Sequence, residues 1–468
     1  MKIKISHRDK KSFFIFFIGL SVSLATVLGV KASNDDDDLF LLLSGVLASL
    51  NPAQNTGGSQ FNNILLFVGD DIGVDNVSVY AEHSQSAITP TIDDLANRGI
   101  MFRNAWANQQ CSPTRASVLT GRYSFRHGVT SPGGATGTLN DSEVTIAELL
   151  SDAGYQTALF GKWHLGTGNE SLPTAQGFDH FSGGLNSAVE DYFAWQKVVV
   201  TSQGGTPTTI NETDYATEVV AEESVDWINN TDDRPWFAMV SFNAPHGPFH
   251  VPPNNRYSNV TLNGPVGASC GNGDVDSDDL CYRAMIEAMD SYMSDILAQI
   301  SPEKLAQTLI IFLGDNGTPN ATVIAEDSFQ RGRAKGTVYE GGVNVPLIIN
   351  ASDDVNINIA EIPDLVQIQD VFSTIAHVAG VQNPSNVQID GRSLLGYVQT
   401  TIPAPTPRQT QFTFATQDLQ WAHSNGVDKY ILIDDGEECY NLINDPGELN
   451  PNSGDQATCN LLRDTRPQ

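Results

Sequence analysis

The sequence predicts an α/β fold: a large mixed, mostly parallel sheet flanked by helices, with a small antiparallel subdomain at the C-terminus. Three observations carry this. Two apolar runs, FNNILLFVGDD at 61–71 and TLIIFLGDNG at 308–317, share one grammar, an unbroken buried strand ending in glycine and oxygen-bearing side chains. Strand-like runs alternate with helical spacing along most of the chain. After the Pro/Thr-rich stretch TIPAPTPRQT, from residue 401, only short strand-like runs and turns follow.

Taken in order, the run at 61–71 is the first strand and helical spacing follows at 91–98. CSPTRASVLTG at 111–121 reads as a loop turning into a helix. Ser112 suits the N-cap, Pro113 the first helical position and Gly121 the stop. Cys111 is then expected just outside a helix N-terminus, where free N–H groups and the helix dipole favour an anion, with Arg115 adding positive charge. A helix is expected at 143–152, a strand at 155–160 (YQTALF), a helix at 215–229 and a strand at 236–242 (WFAMVSF). The helix at 281–300 is the clearest, with Met285, Ile286, Met289, Met293, Ile296, Leu297 and Ile300 recurring on one face. The second acid-tipped strand at 308–317, a strand at 345–350 (VPLIIN) and a helix at 368–379 complete the main body. Short strands are expected at 411–416, 429–434 and 439–443.

At the N-terminus, Lys2, Lys4, Arg8, Lys10 and Lys11 precede the apolar stretch Phe13 to Val30, and Val30-Lys31-Ala32 has the small-residue pattern of a cleavage site. Residues 1–32 therefore read as a signal peptide leading to the periplasm or the exterior, with an uncleaved membrane anchor as the alternative. Residues 33–60 read as a linker or leader, 61–400 as the catalytic domain and 401–468 as the C-terminal subdomain.

The net charge is −30; removing residues 1–32 takes away six Lys/Arg and one Asp and leaves it near −35. That argues against nucleic acid and anionic membrane surfaces as partners. It also requires an anion-binding enzyme to gather its few cations at one place. Of the five cysteines, Cys270 and Cys281 bracket a Gly/Asp-rich loop, and Cys439 and Cys459 bracket the tail. Two local disulfides are the economical reading, and they leave Cys111 as an unpaired thiol in an oxidising compartment.

The chemistry gathers at strand ends, where open α/β sheets bind ligands. Asp70, Asp71, Asp315 and Asn316 offer hard oxygen donors from two strands, a set that suits Ca²⁺ or Mg²⁺. In GKWHLG at 161–166, Lys162 and His164 stand two apart and point the same way if extended: a point charge for an anion beside a proton carrier. His246 follows the strand at 236–242, and Lys335 sits in a Gly-rich loop within reach of the same site. His377 reads as structural, and His250 as a near neighbour of His246.

With these motifs in place, the chain resembles the type I sulfatases of the alkaline-phosphatase-like superfamily, from about residue 62 to 350 with a weaker echo at 429–447. The resemblance rests on DDIG at 70–73, TPTIDDLANRGIMFRNAW at 89–106, CSPTRASVLTG at 111–121, GKWHLG at 161–166, QGFDHF at 176–181, APHGPF at 244–249, GDNG at 314–317 and KGTVYEGG at 335–342. It implies that a separate maturation enzyme oxidises Cys111 to formylglycine, whose hydrate provides the nucleophile toward sulfur. It also implies that Asp70, Asp71, Asp315 and Asn316 hold Ca²⁺ together with the modified Cys111. Arg115 fixes the hydrate, Lys162 and Lys335 neutralise sulfate oxygens, His164 serves as base and His246 protonates the leaving oxygen. Ser187 aligns with a substrate-site serine of the family. The implied substrate is a sulfated saccharide or an aryl sulfate. The competing expectations are a phosphonate or phosphodiester hydrolase of the same superfamily and a non-catalytic Ca²⁺-binding scaffold. The oligomeric state is not legible.

Overall fold

In the computed structural model the described residues are 61–468, apart from 84, 259–261, 263–266, 325–328, 352–356, 416–419 and 435. The expected signal peptide and the linker at 33–60 lie outside the described residues. In chain order the principal elements are β1 (Asn63–Gly69), α1 (Pro90–Asn97), β2 (Ile100–Trp106), α2 (Cys111–Thr120), α3 (Ile146–Asp152), β3 (Gln156–Gly161), β4 (His180–Gly183), β5 (Trp195–Val200), β6 (Thr208–Glu212), α4 (Ala216–Asn230) and β7 (Trp236–Ser241). They continue with α5 (Val275–Gln299), β8 (Thr308–Gly314), β9 (Leu347–Ala351), β10 (Ala360–Gln367) and α6 (Asp370–Ala379). The C-terminal part holds β11 (Gln411–Ala415), β12 (Gln420–Ser424), β13 (Asp428–Ile433), β14 (Gly436–Asn441) and α7 (Gln456–Asp464).

The first ten strands form one sheet in the order β10-β2-β9-β8-β1-β7-β3-β4-β5-β6. Its centre, β8-β1-β7-β3-β4, is parallel throughout. Only β9 and β5 run against that direction. β1 is buried along its whole length and alternates cleanly. Ile64, Leu66 and Val68 face a core shared with α2, α3 and α6, while Leu65 and Phe67 face one shared with α1, α4 and α5. Helices therefore cover both faces, and the parallel centre is dry on each side.

The five strands expected in the main body are present, each within three residues of its expected ends. β2, β4, β5, β6 and β10 were not expected from the sequence. β6 explains why: its burial pattern is almost wholly exposed, so TTINE carries no apolar signature. Cys270 and Cys281 form a disulfide, as do Cys439 and Cys459, and Cys111 is a free, buried thiol. The segment between the first pair is less of a loop than its Gly/Asp content implies, because α5 begins at Val275. The C-terminal strands form a separate antiparallel sheet in the order β11-β12-β13-β14. Its core takes in Cys459 and Leu462 of α7, a helix that sequence reasoning missed. No helix of the described residues is long and apolar enough to cross a membrane.

Candidate active site

Four neighbouring parallel strands, β8, β1, β7 and β3, end side by side, and each releases site residues at its carboxyl end. Gly69 of β1 stands opposite Gly314 of β8, so Asp70-Asp71 and Asp315-Asn316 leave the sheet in matched register. β3 ends at Gly161 and delivers Lys162 and His164; β7 ends at Ser241 and leads to His246. The backbone is bent to serve the site: Asp71 has φ 72° and His164 φ 58°, left-handed conformations uncommon for residues with a Cβ.

Cys111 does not lie outside its helix. It is the first residue of α2, with Gln110 in the N-cap position. Ser112 is not the cap: its hydroxyl donates instead to the His164 carbonyl at 2.7 Å, tying α2 to the turn after β3. The turn after β3 thus captured the hydroxyl that the local pattern assigned to the cap. Gly121 does end the helix, at φ 70°. Every residue of α2 is buried, so this helix is a core element that presents Cys111 and Arg115 to the strand ends.

Asp70, Asp71 and Asp315 are buried, and one ligand atom from each lies within 4.8 Å of the others and of the Cys111 sulfur. Three cations answer them. Lys162 Nζ donates to Asp70 Oδ2 at 2.5 Å. Lys335 Nζ donates to both Asp71 oxygens, at 2.5 and 2.7 Å. Arg115 Nε donates to Asp315 Oδ2 at 3.0 Å, with Nη2 2.8 Å from the same oxygen. Arg115 Nη1 also donates to the Lys162 carbonyl at 3.0 Å and to the Ser241 hydroxyl. Asn316 Nδ2 donates to Asp71 Oδ1 at 2.9 Å, and the Tyr282 hydroxyl holds the Asp71 carbonyl at 2.6 Å.

The burial has electrostatic consequences. It pushes the Cys111 thiol up to about 12, against the pull of Lys162 and Lys335, so the thiol stays protonated. Burial, with Lys162 and Arg115 nearby, lowers His164 to about 2 and keeps its imidazole neutral. Burial works against charge on Asp70, but Lys162, His246 and Arg115 together hold its carboxyl below the usual range. His246 hydrogen-bonds the Gly247 carbonyl through Nδ1 at 2.8 Å. A carbonyl only accepts, so Nδ1 carries the hydrogen, and Nε2 faces the site 3.9 Å from Asp71 Oδ2.

These residues fit a hard divalent cation. Three buried carboxylates converge, and Asp70 Oδ1 and Asn316 Oδ1 are buried with no hydrogen-bond partner, an arrangement that costs free energy unless something binds there. Asp70, Asp71, Cys111, Arg115, Lys162, His164, His246, Asp315, Asn316 and Lys335 are thus brought together. Ser187 lies exposed in the loop after β4. His377 pairs with the Ser393 hydroxyl at 2.8 Å, away from the site. His250 packs among Tyr192, Phe193 and Tyr215 beside it. Sequence reasoning missed Ser241, whose hydroxyl binds both Arg115 and the Lys162 carbonyl; a small polar residue closing an apolar strand was its only trace.

A family model described as Sulfatase matches residues 62–381. N-acetylgalactosamine-6-sulfatase of Canis lupus familiaris is 28% identical over 370 residues, covering 72% of this chain. Arylsulfatase G of Rattus norvegicus is 28% identical over 374 residues, covering 70% of this chain and 67% of its own length. The match spans 66% of the canine relative, just under two thirds of it. Among solved structures, Ps i-CgsB in complex with k-i-k-neocarrahexaose has a TM-score of 0.70 at 24% identity, covering 86% of this chain and 91% of that one. A protein solved in complex with its substrate D-glucosamine-2-N,6-O-disulfate has a TM-score of 0.67 at 22% identity, covering 86% and 96%. At these identities the two structures testify to a shared fold.

Proposed function

The chain belongs to the sulfatase family, and from that membership we propose that it is an exported sulfuric ester hydrolase acting on a sulfated carbohydrate. The observation that carries this is the meeting of Cys111, Arg115, Lys162, His164, His246 and Lys335 around three buried carboxylates at four adjacent strand ends. Names of relatives and structural neighbours that specify sulfated sugars support the substrate class.

Asp70, Asp71, Asp315 and Asn316, with Cys111 beside them, are the residues that would hold a hard divalent cation, Ca²⁺ by the family resemblance. Such an ion supplies Lewis-acid stabilisation of a sulfate oxygen. Formylglycine made from Cys111 by a maturation enzyme supplies, as its hydrate, a hydroxyl nucleophile. The unmodified thiol, buried and protonated, is a poor one. Charge balance favours the cation. The three carboxylates already cancel Arg115, Lys162 and Lys335, so only a further positive charge leaves the site attractive to a sulfate ester.

The side chains then divide the work. Arg115, fixed by Asp315, Ser241 and the Lys162 carbonyl, orients the residue at position 111. Lys162 and Lys335 meet the sulfate oxygens where charge grows. His164, neutral and with Nδ1 free of any partner, accepts a proton. His246 keeps its Nδ1 hydrogen on the Gly247 carbonyl, and a second proton carried on Nε2 goes to the leaving oxygen. Ser187, on its exposed loop, would contact the sugar at the rim rather than the sulfate.

The test begins with peptide mass spectrometry of active protein. Position 111 is expected about 18 Da lighter than cysteine, the difference between a thiol and an aldehyde side chain. Active protein with unmodified Cys111 would defeat the mechanism. Cys111→Ala is expected to abolish turnover while folding is retained, because Cys111 takes no part in a disulfide. An aryl sulfate and an aryl phosphonate with the same leaving group separate the family reading from its alternative. Equal or greater turnover of the phosphonate would overturn the sulfate assignment.

A further inference from the structure

We propose that Asn243 is a substrate-contacting residue of this site, its side-chain amide donating a hydrogen bond to the sulfate group; the proposal rests on the sulfatase reading for the identity of the anion. Asn243 is 3% exposed, and both its Nδ2 and its Oδ1 lack any hydrogen-bond partner. A buried primary amide that satisfies none of its donors or acceptors is costly, and so few remain in folded proteins that each asks for an explanation.

The surroundings supply one. Asn243 lies two residues beyond the end of β7, between the ends of β1 and β3. The segment stays tied to β1 past the strand: Phe242 N–H donates to the Val68 carbonyl at 3.0 Å, and Asp70 N–H reaches the Ala244 carbonyl at 3.2 Å, two residues beyond regular register. In extended chain, successive side chains alternate. Phe242 turns to the core of α1, α4 and α5, where it stacks on Phe67. Ser241 turns the other way, to the Arg115 guanidinium and the Lys162 carbonyl. Ala244 joins Phe242 in that core, so alternation puts Asn243 on the Ser241 side.

The backbone there is fixed. The Asn243 carbonyl accepts from the Tyr192 hydroxyl at 2.7 Å and from the His246 N–H at 2.9 Å, and the same hydroxyl reaches the His246 carbonyl at 2.7 Å. β3 meanwhile departs: Lys162 N–H still bonds the Ser241 carbonyl, but His164 N–H, which a continuing strand would aim back at β7, goes to the Leu185 carbonyl at 3.2 Å. That divergence leaves Asn243 without a backbone partner from β3, in the stretch that links Ser241, whose carbonyl holds the Lys162 N–H, to His246, whose N–H bonds the Asn243 carbonyl. A carboxamide suits such a place. It gives an anion a donor without adding to the site's charge, and its oxygen is free to accept from a sugar hydroxyl.

The experiment uses the full-length mature protein with Asn243→Ala, Asn243→Leu and Asn243→Asp. Its readouts are kcat/KM on a small aryl sulfate, affinity for inorganic sulfate and thermal unfolding. Asn243→Ala is expected to lower kcat/KM by about 10- to 100-fold and to weaken sulfate binding by a similar factor. Asn243→Asp is expected to lose more than Ala, because a carboxylate repels the anion. Asn243→Leu is expected to lose as much activity as Ala while unfolding at the same or a higher temperature, since it removes an unpartnered buried amide. Should the leucine variant fail to fold, Ala and Asp decide the matter. Variants within about twofold of wild type in both kinetics and sulfate affinity would overturn the proposal. A wild-type protein that binds sulfate but cleaves no sulfate ester would overturn the reaction alone, because sulfate affinity still separates Asn243→Ala from wild type.

Discussion

Arg115 makes three kinds of contact at once: a paired approach to Asp315, a bond to the Lys162 carbonyl and one to the Ser241 hydroxyl. Only a planar fork of donors does this, so lysine is not a substitute. Arg115→Lys is expected to keep the charge and lose the geometry, lowering kcat/KM by at least about 100-fold. Steady-state kinetics with an aryl sulfate checks it, and a variant retaining more than about a tenth of wild-type kcat/KM refutes the orienting role. At this scale most of the site was legible, because Cys111, Arg115, Lys162 and His164 stand in short ordered motifs whose chemistry depends on residue type. Ser241 and Asn243 were not. Each is a lone small polar residue at a strand end, and its meaning comes from partners more than seventy residues away, or from their absence. The cap assigned to Ser112 failed for the same reason: a distant carbonyl outbid a local N–H.

Among elements, the docking of the C-terminal sheet on the main body turns on Lys429 of β13. Its ammonium is buried and lies 2.9 Å from both Glu340 Oε1 and Glu448 Oε1, over the Trp106 ring. Glu448 also accepts the Glu340 N–H, and the Trp106 indole N–H donates to Glu340 Oε2 at 3.2 Å. Burial raises the Glu448 carboxyl to about 7 against the pull of Lys429, so the pair survives only while the lysine is present. Lys429→Met strands two buried acids and is expected to destabilise the fold by about 3–5 kcal/mol. Adding Glu340→Gln and Glu448→Gln is expected to recover a large part of that. Urea unfolding of the three proteins measures it, and a Lys429→Met variant within about 1 kcal/mol of wild type would show that the ions contribute little. The sequence foretold short strands in this region but not β12 or α7. Gln420–Ser424 mixes polar and apolar residues, and the nine-residue helix is held by Asp455, which accepts the Thr458 N–H at 2.9 Å, and by the Cys439–Cys459 disulfide.

For the whole molecule, the parallel centre was legible because each of its long strands is buried on both faces and reads as an unbroken apolar run. The polar margins were not, since an edge strand such as β6 needs no apolar pattern. Charge shows a similar division between centre and margin. The chain carries −30 overall, yet it gathers Arg115, Lys162 and Lys335 at one set of strand ends. A small sulfate ester enters the site as a single charge. A polysulfated chain must bring many charges against the acidic exterior, and the repulsion grows with their number. The Debye length falls from about 30 Å at 0.01 M salt to about 8 Å at 0.15 M, so added salt removes the long-range repulsion while sparing contacts inside the buried site. kcat/KM on a polysulfated polymer is therefore expected to rise severalfold over that range, while the value for a monosulfated aryl ester changes by less than about twofold. Parallel salt titrations with the two substrates measure the difference. A polymer rate that falls steadily with salt would mean that cations outside the strand-end site draw the polymer in, and that the acidic exterior does not govern its approach.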